Sequence, residues 1–245
     1  MKNRIFSILT LSLLPVMAFA QPSGDEILDA IDRNLSSETR VYEARMIIHG
    51  ARGVRTVAFR SWAEGDTRAF TEYTDPPREQ GTKMLKLEDM LWIYSPSTDR
   101  TIQITGHMLK QSVMGSDLSY EDMMNDTPLR EQYEVTSVIS VIYNETDCWM
   151  LELIATDPGA AYQQRKMWID KQKSVPMKEE LFAKSGKLLK RTELSMVENI
   201  DGRWYPRRIL FRDMLKSGDG TEFIVDKIDF NAEIPPHLLT KAALR

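Results

Sequence analysis

From Val41 onward the chain alternates apolar and polar residues with a period of two, and clusters of turn-forming residues break this rhythm at short intervals. That pattern constrains the fold more than any other feature. Period-two stretches are strands, and short turns between them allow only antiparallel neighbours. Val57, Phe59 and Ser61 oppose Ala58, Arg60 and Trp62; Ala69, Thr71 and Tyr73 oppose Phe70 and Glu72. Met84–Leu87, a Glu88-Asp89 turn and Met90–Tyr94 form a hairpin, and Ser95–Asp99 turns the chain into Thr101–Ile104. The second half continues with strands over Tyr133–Tyr143, Cys148–Thr156, Arg165–Asp170, Met177–Ala183, Leu188–Val197, Tyr205–Asp213 and Glu222–Phe230. Asp157-Pro158-Gly159, Ser185-Gly186, Asp201-Gly202 and Ser217–Gly220 separate them. The prediction is a mainly β (α+β) meander of about ten or eleven strands. With no low-complexity linker to divide it, residues 21–245 read as one domain.

Two stretches depart from the meander. Ser23-Gly24-Asp25-Glu26 has the form of a capping box, and Ile27, Leu28, Ile31 and Leu35 then share one helical face. The second is an insert over Thr105–Asp126, where Ser116 or Ser119 can cap a short helix. Its Tyr120, Met123 and Met124 share a face, Pro128 lies just past its end, and Gly106 and Gly115 are candidate hinges. A helix set into a meander must bury its apolar side on the sheet. A short third helical piece follows Pro235-Pro236.

The first twenty residues predict export. Lys2 and Arg4 precede an apolar run that closes on Ala18-Phe19-Ala20, the layout of a signal peptide cleaved after Ala20. The expected location is the periplasm. Loss of Lys2 and Arg4 takes the formal charge from −4 to −6, which leaves no electrostatic footprint for nucleic acid. Cys148 is the single cysteine, so no internal disulfide is available; beside Trp149 it reads as a small buried apolar side chain.

Several strands are apolar on both faces. Met90, Trp92 and Tyr94 alternate with Leu91 and Ile93, so a solvated sheet face is excluded there. A sheet with two apolar faces must curl on itself and be covered, and the few predicted helices cover it only in part. The implied product is a concave apolar space. Its candidate ligand-binding residues are Met84, Met90, Trp92 and Tyr94 (or the opposite register of that strand) with Met114, Leu118, Tyr120, Met123 and Met124 from the insert. Methionines there suit ligands of varied shape, acyl chains among them.

The stretch Asp66–Phe70, Asp75-Pro76-Pro77 and Lys83–Pro96, with its Leu91-Trp92-Ile93-Tyr94-Ser95-Pro96 strand, resembles the LolA/LolB group of lipoprotein carriers. Met114–Asp122, with Gly115-Ser116-Asp117, Ser119-Tyr120 and Glu121-Asp122, resembles a hallmark of the outer-membrane lipoprotein-sorting branch. The resemblance implies an eleven-stranded half-open barrel, a strongly curved antiparallel sheet whose concave face is covered by helices. Its cavity would shield acyl chains crossing the periplasm. The carrier's arginine linked to lid closure is replaced here by Glu64-Gly65-Asp66, with Arg68 an approximate counterpart.

Three function classes follow. The first is a non-enzymatic carrier or binder of lipid or lipoprotein acyl chains, acting in outer-membrane lipoprotein sorting or lipid transport. The second is an accessory or sensor module of an envelope transporter or stress-signalling system, with an inner-membrane transporter as partner. An enzyme is the third and has least support. G-x-S-x-G, H-E-x-x-H, P-loop and C-x-x-C motifs are absent, and His49, His107 and His237 are dispersed, so no catalytic residue, cofactor or metal is assigned.

Overall fold

The computed structural model describes residues 21–50, 53–124 and 127–245. The expected signal peptide, residues 1–20, lies outside the described residues, as do Asn125 and Asp126 of the expected insert.

Among the described residues, thirteen antiparallel strands form one sheet. In chain order they are β1 (Thr39–Gly50), β2 (Gly53–Glu64), β3 (Arg68–Asp75), β4 (Lys83–Leu87), β5 (Met90–Ser95) and β6 (Arg100–Ile104). After the insert come β7 (Tyr133–Tyr143), β8 (Thr146–Ala155), β9 (Gln164–Asp170), β10 (Pro176–Phe182), β11 (Leu188–Ile200), β12 (Arg203–Asp213) and β13 (Gly220–Phe230). The strand count corrects the expectation of about eleven. The stretch after Val41 forms two long strands, β1 and β2, and each of the short strands β4, β5 and β6 is a full member of the ladder.

The spatial order is β6-β5-β4-β3-β2-β1-β13-β12-β11-β10-β9-β8-β7. Two meanders therefore meet where the first strand pairs with the last, and β6 and β7 are left as unpaired edges of an open sheet. The connection from β6 to β7 has to travel from one edge to the other. That connection is the insert, which contains α2 (Tyr120–Met124), α3 (Leu129–Gln132) and two single 3-10 turns at Gly106–Lys110 and Val113–Gly115.

Contacts of α2 show that the sheet curls. This five-residue helix is only about 8 Å long. Yet Met123 packs with Met84 and Leu91 of β4 and β5, while Asp122 is bonded to Lys190 of β11. Between β4 and β11 lie six strand spacings, roughly 29 Å on a flat sheet. Only a curved sheet brings both to one short helix, so the insert sits on the concave side.

At the other side of the hollow lies α1 (Gly24–Leu35). Its capping box is complete: Ser23 Oγ accepts from Glu26 N, and Glu26 Oε2 accepts from Ser23 N. Ile27, Leu28 and Ile31 bury against Tyr133, Leu151, Leu153, Met167 and Ile169. Each such side chain contributes about 1.5–3 kcal/mol of burial free energy. The approach is close at Gly24, where an added Cβ would sit 2.4 Å from Val135 Cγ1.

A third cover lies on the opposite face. The segment after β13 runs back over β3, β4 and β5, placing Leu239 and Leu244 on Phe70, Leu85 and Trp92. Lys83 Nζ donates to Ala243 O at 2.9 Å, and the Lys241 ammonium stands 4.0 Å over the Trp92 ring. Among the described residues, no helix is long and apolar enough to cross a membrane.

Candidate functional site: the hollow beneath the insert

The floor of the hollow is the inward register of β1, β2 and β3. Ala44, Met46, Ile48, Val57, Phe59 and Tyr73 are buried there together with Val113 and Leu118 of the insert. Phe59 stands at the centre of an aromatic cluster, with ring centroids 6.3 Å from Tyr42, 5.7 Å from Tyr73 and 5.6 Å from Phe223. A second apolar group, Met84, Leu91 and Ile104, carries Met108, Leu109, Tyr120, Met123 and Met124.

Six of the nine candidate residues therefore converge: Met84, Met114, Leu118, Tyr120, Met123 and Met124 all belong to the interface between the insert and the concave face. The other three do not. Trp92 and Tyr94 project to the opposite face, where Trp92 is buried beneath the C-terminal segment, and Met90, in the same register, is exposed. Leu91 and Ile93 take the inward positions of β5. Arg68 also faces outward, donating to Leu239 O at 3.0 Å and to Glu64, and does not reach the insert.

Polar side chains fasten the insert, and most come from the Gly-Ser-Asp-x-Ser-Tyr-Glu-Asp block. Asp117 Oδ2 accepts from Thr221 Oγ1 at 2.8 Å, Asp117 Oδ1 accepts from the amide of Asp213 at 3.0 Å, and Asp117 N donates to Thr221 Oγ1. Lys216 Nζ donates to Ser112 Oγ and Ser116 O. Ser119 caps α2, accepting from Asp122 N and donating to Asp122 Oδ2. Asp122 is the hub: it pairs with Lys190 and accepts from Tyr162 OH at 2.6 Å. Burial pushes the Asp122 carboxyl up, but the Lys190 charge and the hydrogen bonds from Lys190, Tyr162 and Ser119 outweigh it, and its pKa lies below the ordinary carboxylate value. Burial, then the Asp122 charge, pushes the Tyr162 hydroxyl far up.

Lys190, Tyr162, Asp213 and Thr221 were not among the sequence candidates. They lie about 40 to 100 residues from their partners, and nothing local distinguishes them from other strand residues. In three places the seated insert leaves small spaces. A crevice of about 270 Å³ is lined by Ser112, Asp117, Ser119, Tyr162, Lys190 and Lys216. Two further spaces of about 200 and 160 Å³ are both lined by Arg40. All three are below the roughly 300–1,000 Å³ of sites that enclose a medium-sized ligand. Among the described residues no set of His, Cys, Asp and Glu side chains is placed to hold a metal.

A family model described as "Uncharacterized protein" matches residues 65–245. The chain belongs to that family. No curated protein matches the sequence. Among solved structures, a protein described as an outer membrane lipoprotein-sorting protein domain from Vibrio parahaemolyticus is 22% identical, with a TM-score of 0.76 over 89% of this chain and 97% of that one. A DUF1329 family protein from Desulfovibrio piger is 21% identical, with a TM-score of 0.80 over 90% and 97%. A LolA superfamily protein from Nitrosomonas europaea is 22% identical, with a TM-score of 0.74 over 91% and 100%. The fold is LolA-like. At these identities the likeness concerns architecture alone.

Proposed function

We propose that the protein is a periplasmic, non-enzymatic carrier that shields the acyl chains of a lipid or lipoprotein in the hollow beneath the insert. The first twenty residues direct its export, and residues 21–245 act as one binding unit. The observation that carries this reading is the make-up of the roof. The floor is a continuous apolar patch of nine-tenths buried side chains, Met46, Val57, Phe59 and Tyr73 among them. Its cover is a chain of one-turn helices and 3-10 turns in which α2 has no buried residue of its own. Polar bonds at Asp117 and Asp122 hold that cover, and water can replace them when it lifts. Lifting exposes Met84, Leu118, Tyr120 and Met123 together with the floor, an apolar cleft suited to an acyl chain. Each buried methylene would contribute about 0.8 kcal/mol, so a long chain needs no charged anchor to bind. The architectural likeness to a lipoprotein-sorting domain supports the same reading.

Native mass spectrometry of protein recovered from the periplasm tests it. The expected result is a mass excess that organic extraction removes and that yields acyl-containing species. Protein that carries no extractable lipid and has no affinity for a fluorescent acyl probe would end the proposal.

A further inference from the structure

The concave wall is not apolar throughout. In β1 the inward register runs Ile48, Met46, Ala44, Tyr42 and then Arg40, so one end of an otherwise apolar row is a cation. Arg40 is half-buried and lines both of the smaller cavities, and its guanidinium makes no hydrogen bond or ion pair with the side chain or carbonyl of any described residue. A guanidinium carries five donors in a fixed fork shaped for a carboxylate or phosphate. Water reaches these donors, since Arg40 is not among the residues with buried unbonded side-chain nitrogens, and an anion entering there would exchange for that water.

The two cavities differ in charge. On one side of Arg40 the space of about 160 Å³ is lined by Ser61 and Thr71, whose hydroxyls are 2.9 Å apart, by Lys86, and by apolar Met84 and Met123. Lys86 Nζ donates to the carbonyls of Asp66 and Met124. Lys86 is thus engaged elsewhere, and Arg40 with the two hydroxyls supplies the polar lining that faces this space. On the other side Asp32, Asp66, Arg165 and Glu179 line the space of about 200 Å³. Glu179 there faces Arg165 Nη1 at 3.6 Å, so Arg165 rather than Arg40 is its counter-ion. Burial pushes the Glu179 carboxyl above its ordinary value, and burial with Asp29, Asp66 and Glu131 does the same to Asp32. Both acids thus hold their charge less firmly than a solvated carboxylate, which reduces their opposition to an anion.

We infer that Arg40 seats the anionic head of the ligand, which is therefore an amphiphile with a single carboxylate or phosphate on its acyl chain. This rests on the carrier reading above and adds to it the polar end of the ligand. The smaller cavity holds a head group and not a chain. Its apolar wall, Met84 and Met123, is shared with the insert interface. A chain leaving the head between those methionines enters the hollow directly.

Titration calorimetry with hexadecanoate, hexadecyl phosphate and methyl hexadecanoate tests the inference in the intact protein from Gln21 onward. The expected result is that one or both anions bind at least tenfold tighter than the ester. Arg40→Gln brings the anions down to the ester's affinity, and Arg40→Lys keeps the preference. Arg45→Gln, which removes a cation from the same strand paired with Asp226 at 3.2 Å, changes nothing. A stronger response to hexadecanoate assigns a carboxylate head, and to hexadecyl phosphate a phosphate head. Equal binding of anions and ester, or a preference that survives in Arg40→Gln, overturns the head-group site and leaves the acyl carrier standing. Failure of all three probes to bind overturns both.

Discussion

Two covers close the same hollow with different shares of apolar and polar contact. The helix α1 is a twelve-residue element with a complete capping box, and it sinks Ile27, Leu28 and Ile31 to 5% exposure or less. The insert is assembled from single helical turns; it buries Val113 and Leu118, and polar bonds at Asp117 and Asp122 and from Lys86 and Lys216 seat it. Apolar burial resists water everywhere along its surface, whereas a hydrogen bond to a protein group can be exchanged for one to water at modest net loss. On the carrier reading proposed above, the contrast separates a structural cover from one that moves. A permanent wall is greasy, and a door is latched.

The largest expected effect breaks the wall. Leu28→Ala removes a side chain that is 1% exposed, and should lower global stability by about 3–5 kcal/mol, read as a fall in the urea midpoint at unchanged slope. An effect confined to a few local amides would mean that α1 is also a detachable element.

Next comes the latch. Asp122→Ala leaves the Lys190 ammonium without its partner. Removing one member of an enclosed pair costs about 3–5 kcal/mol, but Lys190 also lines the crevice and gains water when released, so the loss should be smaller. Hydrogen exchange of the insert amides should accelerate about tenfold to a hundredfold while those of α1 keep their rates. Acceleration of both together would show one cooperative unit and dissolve the comparison.

Acid should open the same latch. Since the folded-state pKa of Asp122 is depressed, its stabilisation is fully present above the ordinary carboxylate value. It is lost as pH falls below about 4 and through the folded-state value. Insert exchange should therefore rise faster than α1 exchange in that range, and Asp122→Asn should remove the excess. A wild-type and a variant profile that coincide would assign the acid sensitivity elsewhere. The smallest effect belongs to the cap: Ser23→Ala should cost about 1 kcal/mol, expressed in α1 and not in the insert.

How much of this could be read from the chain follows the same division. The capping box and the 27, 28, 31, 35 spacing are local signals, and α1 appears where they place it. The strands are legible because turn residues interrupt a two-residue period. The register of β5 is not legible, because both of its faces are covered: Leu91 and Ile93 by the insert, Trp92 and Tyr94 by a C-terminal segment whose packing no short-range pattern announces. The polar fastening is half visible. Asp117 and Asp122 stand out in their block, but Thr221, Asp213, Tyr162 and Lys190 meet them only after the sheet has curled. Arg40 did leave a mark, a charge in the inward register of an apolar strand, although only the curvature shows that inward means enclosed.

Acyl-probe binding to a protein whose door can be bolted tests the central claim most directly. Asp117→Cys with Thr221→Cys places two thiols where the present side chains already touch, and Cys148, the single native cysteine, is buried. The account predicts that the oxidised protein binds a fluorescent acyl probe at least tenfold more weakly than the reduced one, with affinity restored on reduction. Equal binding in the two states would show that the chain does not enter beneath the insert, and would contradict the account.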